Sequence, residues 1–449
     1  MKKIFQYIML AVVTIVMASC TSDIEEPTAT TGKNNVQLVV GEFPAFGDSQ
    51  TRAIGTQDPG KTSWAVGDEL LLEIDNTSYG RHNATFTYNG KSWELTSGEL
   101  VYLEGDPAYI SHVYYAPNYK WSNTSLMLKK GKVAGTDELI EGKARITGNG
   151  ETITVSFAEA TRKYSRLRIA TLPNEQITVD TEYFTPAGSS DMEQNGNYTL
   201  TSDEKGNAYL YGTFENNSEV TVKYREAALT TYTFSQATES AKSYALDATV
   251  ISANSAEEIK SAIEQKVADG KTTIRLNLAP NAGTNEFMAI REAIKGAAPN
   301  DLGTIELTII GVETIPEEAF YKMLQLKSVR MSDVKEIKKY AFKECQYLTV
   351  VEAPSLNKLY SGAFKKCDQL SKLTFGPINY ADERNWPIFE YITPNIDLIL
   401  SDYQKEMIET DSYLYTANND RDYAGSDEHN SKNFLGREFR SITCRYPVE

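Results

Sequence analysis

A repeat of 22 residues in the C-terminal half of the chain constrains the fold more than any other feature of the sequence. The pair Ala-Phe recurs at this spacing, and further apolar columns keep the same register. These columns are Ala319, Ala341 and Ala363; Phe320, Phe342 and Phe364; Ile315, Ile337 and Leu359; and Leu307, Val329, Val351 and Leu373. A period of this length is typical of proteins in which each unit adds one strand and buries its apolar face only by stacking. The repeat therefore predicts a solenoid of about six parallel strands with a core built from the repeated columns.

One unit, residues 337–348, shows the order of residue types within a coil: an Ile, then Ala-Phe, a small residue and a Leu. This order resembles the BspA-type leucine-rich repeat. The resemblance implies an α/β leucine-rich-repeat solenoid with parallel strands, which we place at residues 251–449. Solenoids need atypical ends that shield the stack. Residues 255–267 have apolar side chains at helical spacing with Ser255 as the N-cap, so we expect N-terminal and C-terminal caps.

Cys345 and Cys367 share a column of the repeat with Met323. Neighbouring coils stack about 5 Å apart, which is within the Cα separation of a disulfide. Two buried thiols in a core column would fit equally well. The spacing leaves both arrangements open.

Residues that alternate with the core columns face outward in the predicted strands. They form two rows: Glu306, Ser328, Val350 and Lys372, and then Thr308, Arg330, Glu352 and Thr374. Because the exposed concave face is the natural ligand surface of a solenoid, the candidate ligand residues are Thr308, Arg330, Glu352, Lys372 and Thr374. The alternative is a solvated sheet on which Arg330 and Glu352 pair for a fraction of a kcal/mol.

Short runs of alternating apolar and polar residues, separated by turn residues, fill residues 36–250 and favour β-sandwiches. Within this stretch stand Thr51-Arg52-Ala53, Trp64 with Gly67-Asp68-Glu69, Tyr88 with Gly90 and Trp93, Tyr115-Ala116-Pro117, and Ser243-Tyr244-Ala245-Leu246. These motifs resemble those of the fimbrillin family of surface lipoproteins. The resemblance implies two all-β fimbrillin-like sandwiches in tandem, at residues 36–150 and 151–250, ahead of the repeats.

In pilus-forming members of that family a protease cuts after an Arg in an early strand, which opens a groove for a donated strand. Arg52 occupies the matching position. The resemblance therefore implies a protease cleavage site at Arg52 and assembly by β-strand addition. The alternative is an ordinary surface arginine.

The N-terminus has the composition of an export signal. Lys2 and Lys3 precede an apolar run at residues 8–17, which is too short to span a bilayer. Residues 16–20 resemble the lipobox of bacterial lipoproteins, in which small residues precede a Cys that is acylated. We therefore expect residues 1–19 to be a lipoprotein signal peptide, Cys20 to carry acyl chains such as palmitate, and residues 20–35 to form a flexible acidic tether. A cleaved secretory signal with an incidental Cys is the alternative.

Charge and motifs argue against several functions. The chain has 45 Lys and Arg against 61 Asp and Glu, a net charge of −16, which argues against a nucleic-acid partner. Its three His stand far apart, and it holds no Walker loop, HExxH or paired CxxC motif. Residues 420–425 resemble a calcium loop, but Ala424 and Ser431 stand at two ligand positions. We expect no enzymatic activity, no metal site and no cofactor.

Together these features predict a surface-exposed lipoprotein of the outer membrane that acts as an adhesin or ligand-binding module through its leucine-rich repeats. Its partners would be host or bacterial surface proteins or glycans, and it would contact the membrane through the lipid on Cys20. The alternative is a fimbrial tip or accessory subunit that assembles with other fimbrial subunits by β-strand exchange. A glycan-binding surface protein is a third interpretation.

Overall fold

The computed structural model describes residues 37–48, 60–76, 80–99, 108–123, 125–147, 152–225, 227–382, 387–392, 395–401, 433–435 and 437–445. These residues are mostly β, with two helices among them. They form two units, of which the first ends at Lys163 and the second begins at Tyr164; the short strand Gly47–Asp48 groups with the second.

The first unit is built on one large sheet. Its strands, numbered along the chain, are β1 (Gln37–Val40), β3 (Glu69–Asn76), β4 (Gly80–Tyr88), β5 (Trp93–Gly98), β6 (Ala108–Tyr115), β7 (Tyr119–Ser122), β8 (Ser125–Leu128), β9 (Ile140–Thr147) and β10 (Thr152–Thr161). Seven of them form a sheet in the order β1-β10-β9-β6-β3-β4-β5, while β7 and β8 pair separately. The parallel pair β1–β10 puts β1 at one edge of this sheet.

The end of the first unit differs from the predicted boundary near residue 150. Strand β10 pairs antiparallel with β9, with Thr152 opposite Thr147 and Val155 opposite Ala144. A short connection between two strands favours a hairpin. Residues 152–161 therefore complete the first sheet and do not begin the second.

Aromatic side chains organise the core of the first unit. The Trp64 ring lies edge-on to Phe43, Trp93, Tyr115 and Phe157, with ring centroids 4.8–5.5 Å apart. Its Nε1 donates a hydrogen bond of 2.9 Å to a backbone carbonyl oxygen. Edge-to-face pairs of this kind add to the free energy that burial alone supplies. The Trp and Tyr of the fimbrillin-like motifs are therefore packing residues.

A second β region opens the second unit. Its strands are β2 (Gly47–Asp48), β11 (Ser165–Ala170), β12 (Gln176–Pro186), β13 (Glu193–Thr201), β14 (Asn207–Phe214), β15 (Glu219–Tyr224), β16 (Ala227–Thr233) and β17 (Lys242–Asp247). They form a sheet in the order β16-β15-β12-β14-β11-β17-β2, with β13 on the other edge of β12.

Strand β12 splits this sheet into two branches. Its first half pairs with β15 and its last residues pair with β14. Between them Tyr183 has a φ of 50°, a left-handed conformation that bends the strand. Val179 and Val222 from one branch and Leu167 and Leu210 from the other belong to one buried cluster. The branches therefore share a single core.

The repeat region contains both helices and the remaining strands. Its elements are β18 (Ile251–Ala253), α1 (Ala256–Ala268), β19 (Thr273–Leu278), α2 (Thr284–Ala297), β20 (Ile305–Ile310), β21 (Thr314–Ile315), β22 (Leu326–Met331), β23 (Glu336–Ile337), β24 (Val350–Ala353), β25 (Lys358–Tyr360), β26 (Lys372–Phe375), β27 (Tyr380–Asp382), β28 (Asp397–Ser401), β29 (Asn433–Phe434), β30 (Arg437–Glu438) and β31 (Ser441–Arg445). An eight-stranded sheet runs β18-β19-β20-β22-β24-β26-β28-β31, and a four-stranded sheet runs β21-β23-β25-β27.

Both sheets keep the 22-residue register of the sequence, as in the parallel pairs Val329–Val351 and Glu336–Lys358. A ladder of buried rings fills the space inside the coils, with centroids 5.1–5.7 Å apart. Its members are Phe287, Phe320, Phe342, Phe364 and Phe389. The predicted parallel strands and core columns are therefore confirmed.

The ends of the stack carry additional elements. Helix α1 begins after Ser255, whose side chain accepts a hydrogen bond from the backbone N–H of Glu258, as an N-cap does. The eight-stranded sheet is longer than the predicted six strands because β18 and β31 extend its two edges. Neither helix in the described ranges is long and apolar enough to cross a membrane.

Candidate ligand-binding face

Paired strands in register align the outward side chains of the eight-stranded sheet in rows. One row is Thr273, Glu306, Ser328, Val350, Lys372, Asp397 and Ser441, and the next is Arg275, Thr308, Arg330, Glu352, Thr374, Ile399 and Thr443. The side chains between these rows, such as Leu307, Val329 and Leu373, are buried in the core. We call the outward side chains of four consecutive strands the sheet face: Ser328, Arg330, Val350, Glu352, Lys372, Thr374, Asp397 and Ile399.

Charged side chains on and beside the sheet face pair with one another. Arg330 Nε lies 2.9 Å from Glu352 Oε2, and Lys372 Nζ lies 4.0 Å from the other oxygen of that carboxylate. Arg440 Nε donates a hydrogen bond of 2.8 Å to Asp397 Oδ1, and this bond holds the pKa of Asp397 well below its usual range. Pairs that are open to water contribute little net stability, so a ligand can replace one partner at small cost.

The sheet face holds four of the five candidate ligand residues that the sequence names. Arg330, Glu352 and Thr374 are half-buried and Lys372 is exposed, all on the outward side of the sheet. Arg330 and Glu352 also form the cross-strand pair that the alternative interpretation describes. The ligand-binding role of these residues stays a prediction.

Thr308 is 4% exposed and does not belong to the sheet face, which corrects its place among the candidate ligand residues. Its register partner is Arg275, whose Nε donates to the carbonyl oxygen of Leu229 at 2.5 Å. Ile310 is fully buried in the core cluster of the second β region. That region therefore covers the first strands of the sheet. Burial lowers the pKa of Arg275, and Asp247, 3.9 Å away, opposes this shift.

Two predicted modification sites lie outside the described residues. These are Cys20, the expected lipid attachment site, and Arg52, the candidate cleavage site. The calcium-like loop at residues 420–425 also lies outside them. Among the residues that the structure does describe, no group of three or more His, Cys, Asp or Glu side chains could hold a metal ion.

Cys345 and Cys367 are free thiols in the core column that the repeat predicts. Each sulfur donates to a backbone carbonyl oxygen, Cys345 to Phe320 at 2.9 Å and Cys367 to Phe342 at 3.0 Å. Burial raises the pKa of Cys345 to about 12. Of the two arrangements left open by the spacing, the structure has the buried thiols.

An excess of positive charge on the central coils is a feature that the sequence reasoning missed. Residues 319–380 hold eleven Lys and Arg against five Asp and Glu, a net charge of +6, whereas the whole chain carries −16. A charge count by segment would have found it, because the total hides the asymmetry. The central coils at residues 319–380 are therefore a basic stretch in an acidic protein.

Comparison with known proteins matches part of this chain to a family. A family model of the BspA type leucine rich repeat region matches residues 302–408 in six copies. No curated protein matches the chain.

Three solved structures show low similarity. A leucine rich repeat protein of T. pallidum has 17% identity and a TM-score of 0.17, and the match covers 21% of this chain and 58% of that one. A putative cell adhesion protein of Bacteroides fragilis has 11% identity and a TM-score of 0.27, covering 49% of this chain and 93% of that one. A minor pilin of Streptococcus agalactiae has 10% identity and a TM-score of 0.18, covering 48% and 94%. At these TM-scores the similarities support no conclusion about this chain.

The family match overlaps the central coils of the observed structure. The matched segment begins just before β20 and includes the four-stranded sheet and the central strands of the eight-stranded sheet. Its columns of Ala, Phe and Leu are buried as the repeat requires. Residues 302–408 are therefore a leucine-rich repeat region of the BspA type.

Proposed function

We propose that the protein is a surface-exposed lipoprotein that binds a ligand through the sheet face of its repeats and carries out no catalysis. One observation supports this proposal above the others: two ordered rows of outward side chains, half of them charged, on a sheet whose opposite side is core. Parallel strands in register hold these side chains at fixed spacing. A rigid array of this kind reduces the conformational entropy that a binding surface loses when it meets a partner.

The mixed charges of the sheet face suit a polar partner surface. Arg330 and Lys372 flank Glu352, while the apolar side chains of Val350 and Ile399 lie in the same two rows as these charged residues. Complementary charges on a partner would fix its register and speed its association. We expect the partner to be a host or bacterial surface protein, or a glycan.

The N-terminal half would hold the repeats away from the membrane. In this proposal acyl chains on Cys20 anchor the chain in the outer membrane and residues 20–35 form the tether. The two β regions are then the fimbrillin-like sandwiches that the sequence motifs suggest. Their role would be to present the repeats at the cell surface.

A second candidate function is that of a fimbrial tip or accessory subunit. The observation that favours it is the position of β1, a four-residue edge strand that precedes Arg52 and pairs in parallel with β10. Cleavage after Arg52 would free β1, and β10 would then offer an open edge for a donated strand. The Arg52→Ala variant should then fail to assemble into fibres.

The test of ligand binding uses the full-length protein on an array of extracellular-matrix proteins and glycans. We expect binding to at least one of them and a loss of about tenfold in affinity for Arg330→Ala with Lys372→Ala, because two charged contacts are removed. Lys260→Ala with Lys271→Ala removes the same charge from exposed positions in and after α1 and should leave affinity unchanged. Equal binding by both double variants would refute the proposal. Loss of fibres in Arg52→Ala without any array binding would favour the fimbrial function.

A further inference from the structure

The four-stranded sheet and the turns that follow its strands carry a second outward surface rich in lysine and tyrosine. Its strands put Ile337 and Leu359 in the core and turn the neighbouring side chains outward. We call this the lysine–tyrosine surface and define it by Tyr321, Lys338, Lys339, Tyr340, Lys343, Lys358, Tyr360 and Tyr380. It belongs to a different sheet from the sheet face, so its role is independent of the function proposed above.

The ammonium groups of this surface lie over aromatic rings. Lys338 Nζ is 4.4 Å from the centroid of the Tyr360 ring and donates to the Tyr360 hydroxyl oxygen at 3.3 Å. Lys343 Nζ lies 5.1 Å from the ring of Tyr321 and 4.9 Å from that of Tyr340. Cation–π contacts hold a lysine in place without neutralising it. The charges are therefore positioned before any ligand arrives.

Backbone geometry fixes the tyrosine rings as well. Gly362 has a φ of 62°, and a Cβ added there would lie 2.5 Å from the Tyr340 ring, so this ring packs directly on the backbone of the next coil. Tyr360 and Tyr380 lie on adjacent strands with ring centroids 5.5 Å apart, and Tyr380 is 38% exposed. Tyr380 is therefore an exposed ring that lies beside the charges.

Carboxylates on this surface do not balance its lysines. Glu336 pairs with both Lys338 and Lys358, and these two lysines hold its pKa below the usual value of a Glu despite partial burial. Glu344 likewise lies within 4 Å of two ammonium groups, those of Lys322 and Lys343. Two ammonium groups for each carboxylate leave positive charge unneutralised. The surface is thus the centre of the basic region at residues 319–380.

We propose that the lysine–tyrosine surface binds an anionic polysaccharide, whose carboxylates or sulfates pair with the lysines while a sugar ring lies on the exposed ring of Tyr380. Strand pairing puts Lys358 and Tyr380 side by side on adjacent strands, about 4.8 Å apart. An anionic polymer that crosses these strands meets an ammonium group and then an aromatic ring, next to Glu336, which is already paired with two lysines. An acidic protein could pair with the lysines but would not need an exposed tyrosine ring. An exposed tyrosine ring favours a ligand that itself has apolar ring faces, as a sugar does.

The test measures binding of the full-length protein to four probes: dextran, dextran sulfate, oligogalacturonate and polyglutamate. We expect binding to dextran sulfate, oligogalacturonate or both, weaker binding to polyglutamate and none to dextran. Lys338→Gln with Lys358→Gln should weaken the polysaccharide binding about fivefold, and more salt should weaken it further. Glu336→Gln should strengthen it because it removes a competing carboxylate.

Two controls make the assignment specific. Lys260→Gln with Lys271→Gln removes the same charge from exposed positions in and after α1, outside both surfaces, and should leave polysaccharide binding unchanged. Tyr380→Ala should weaken binding of the polysaccharide but not of polyglutamate, and Tyr380→Phe should restore it. The proposal is overturned if neither anionic polysaccharide binds, if both lysine pairs matter equally, or if polyglutamate binds as tightly and Tyr380→Ala has no effect. The last result would point to an acidic protein partner.

Discussion

At the scale of single residues, the 22-residue repeat places the equivalent side chains of successive coils in the same chemical environment. In the column of Met323, Cys345 and Cys367 the thiols donate to the backbone of the preceding coil. This hydrogen bond explains why a small polarisable side chain suits a position at which coils meet. The spacing predicts that the two cysteines are neighbours, but it cannot predict the direction of each S–H group, because this depends on the rotamer and on the carbonyl oxygen it meets.

We expect these two thiols to resist alkylation in the folded protein. A pKa of about 12 for Cys345 means that almost no thiolate is present near pH 8, and only the thiolate reacts quickly. Cys444, which is half-buried, should be labelled first, and the other two should react only after unfolding. Mass spectrometry of alkylated peptides measures this order. Rapid labelling of Cys345 under native conditions, or a disulfide to Cys367, would contradict it.

At the scale of elements, alternation predicts the strands of the repeat region because every second side chain must enter the core. The alternation of apolar and polar residues does not predict which distant parts of the chain contact a strand. Thr308 has the pattern of an outward residue, yet the second β region covers it through Arg275 and Ile310. In the same way, the alternation in residues 152–161 identifies a strand but not its partner β9. The alternation along a strand predicts on which face of the sheet a side chain lies, and tertiary packing determines whether solvent reaches that face.

The hydrogen bond from Arg275 to the carbonyl oxygen of Leu229 should contribute measurably to the free energy of unfolding. Arg275→Met leaves the carbonyl oxygen of Leu229 buried without its donor, which we expect to cost about 1–3 kcal/mol in the free energy of unfolding. Arg330→Met is the matched control, since Arg330 lies in the same row of the sheet but is open to water, and its loss should cost less. Denaturant unfolding of both variants gives the comparison. Equal effects would show that Arg275 does not tie the β region to the sheet.

At the scale of the whole molecule, sequence and structure agree on a β-rich N-terminal half and a repeat region after it. The predicted boundary at residue 250 is less sharp in the fold, because Ile310 of the repeats belongs to the core of the second β region. A fragment that begins at residue 251 would expose this side chain and would leave Arg275 without the carbonyl oxygen of Leu229. Binding experiments therefore need the full chain with point variants in place of truncations.

Charge is distributed unevenly over the whole molecule. Residues 319–380 carry +6 within a chain of −16, which concentrates attraction for anionic or mixed-charge partners on these central coils. The acidic remainder disfavours non-specific contact with other anionic surfaces. This distribution fits a protein that meets its ligand through the repeats.

The most direct test of the central claim is the attachment of cells that display the full-length protein to immobilised extracellular-matrix proteins and glycans. Arg330→Glu with Lys372→Glu reverses two charges of the sheet face, and Lys260→Glu with Lys271→Glu reverses two elsewhere on the same unit. We predict that the first pair abolishes attachment at equal surface display, whereas the second pair attaches like the unchanged protein. Attachment that persists in the sheet-face variant would contradict the claim that the repeats bind through this face.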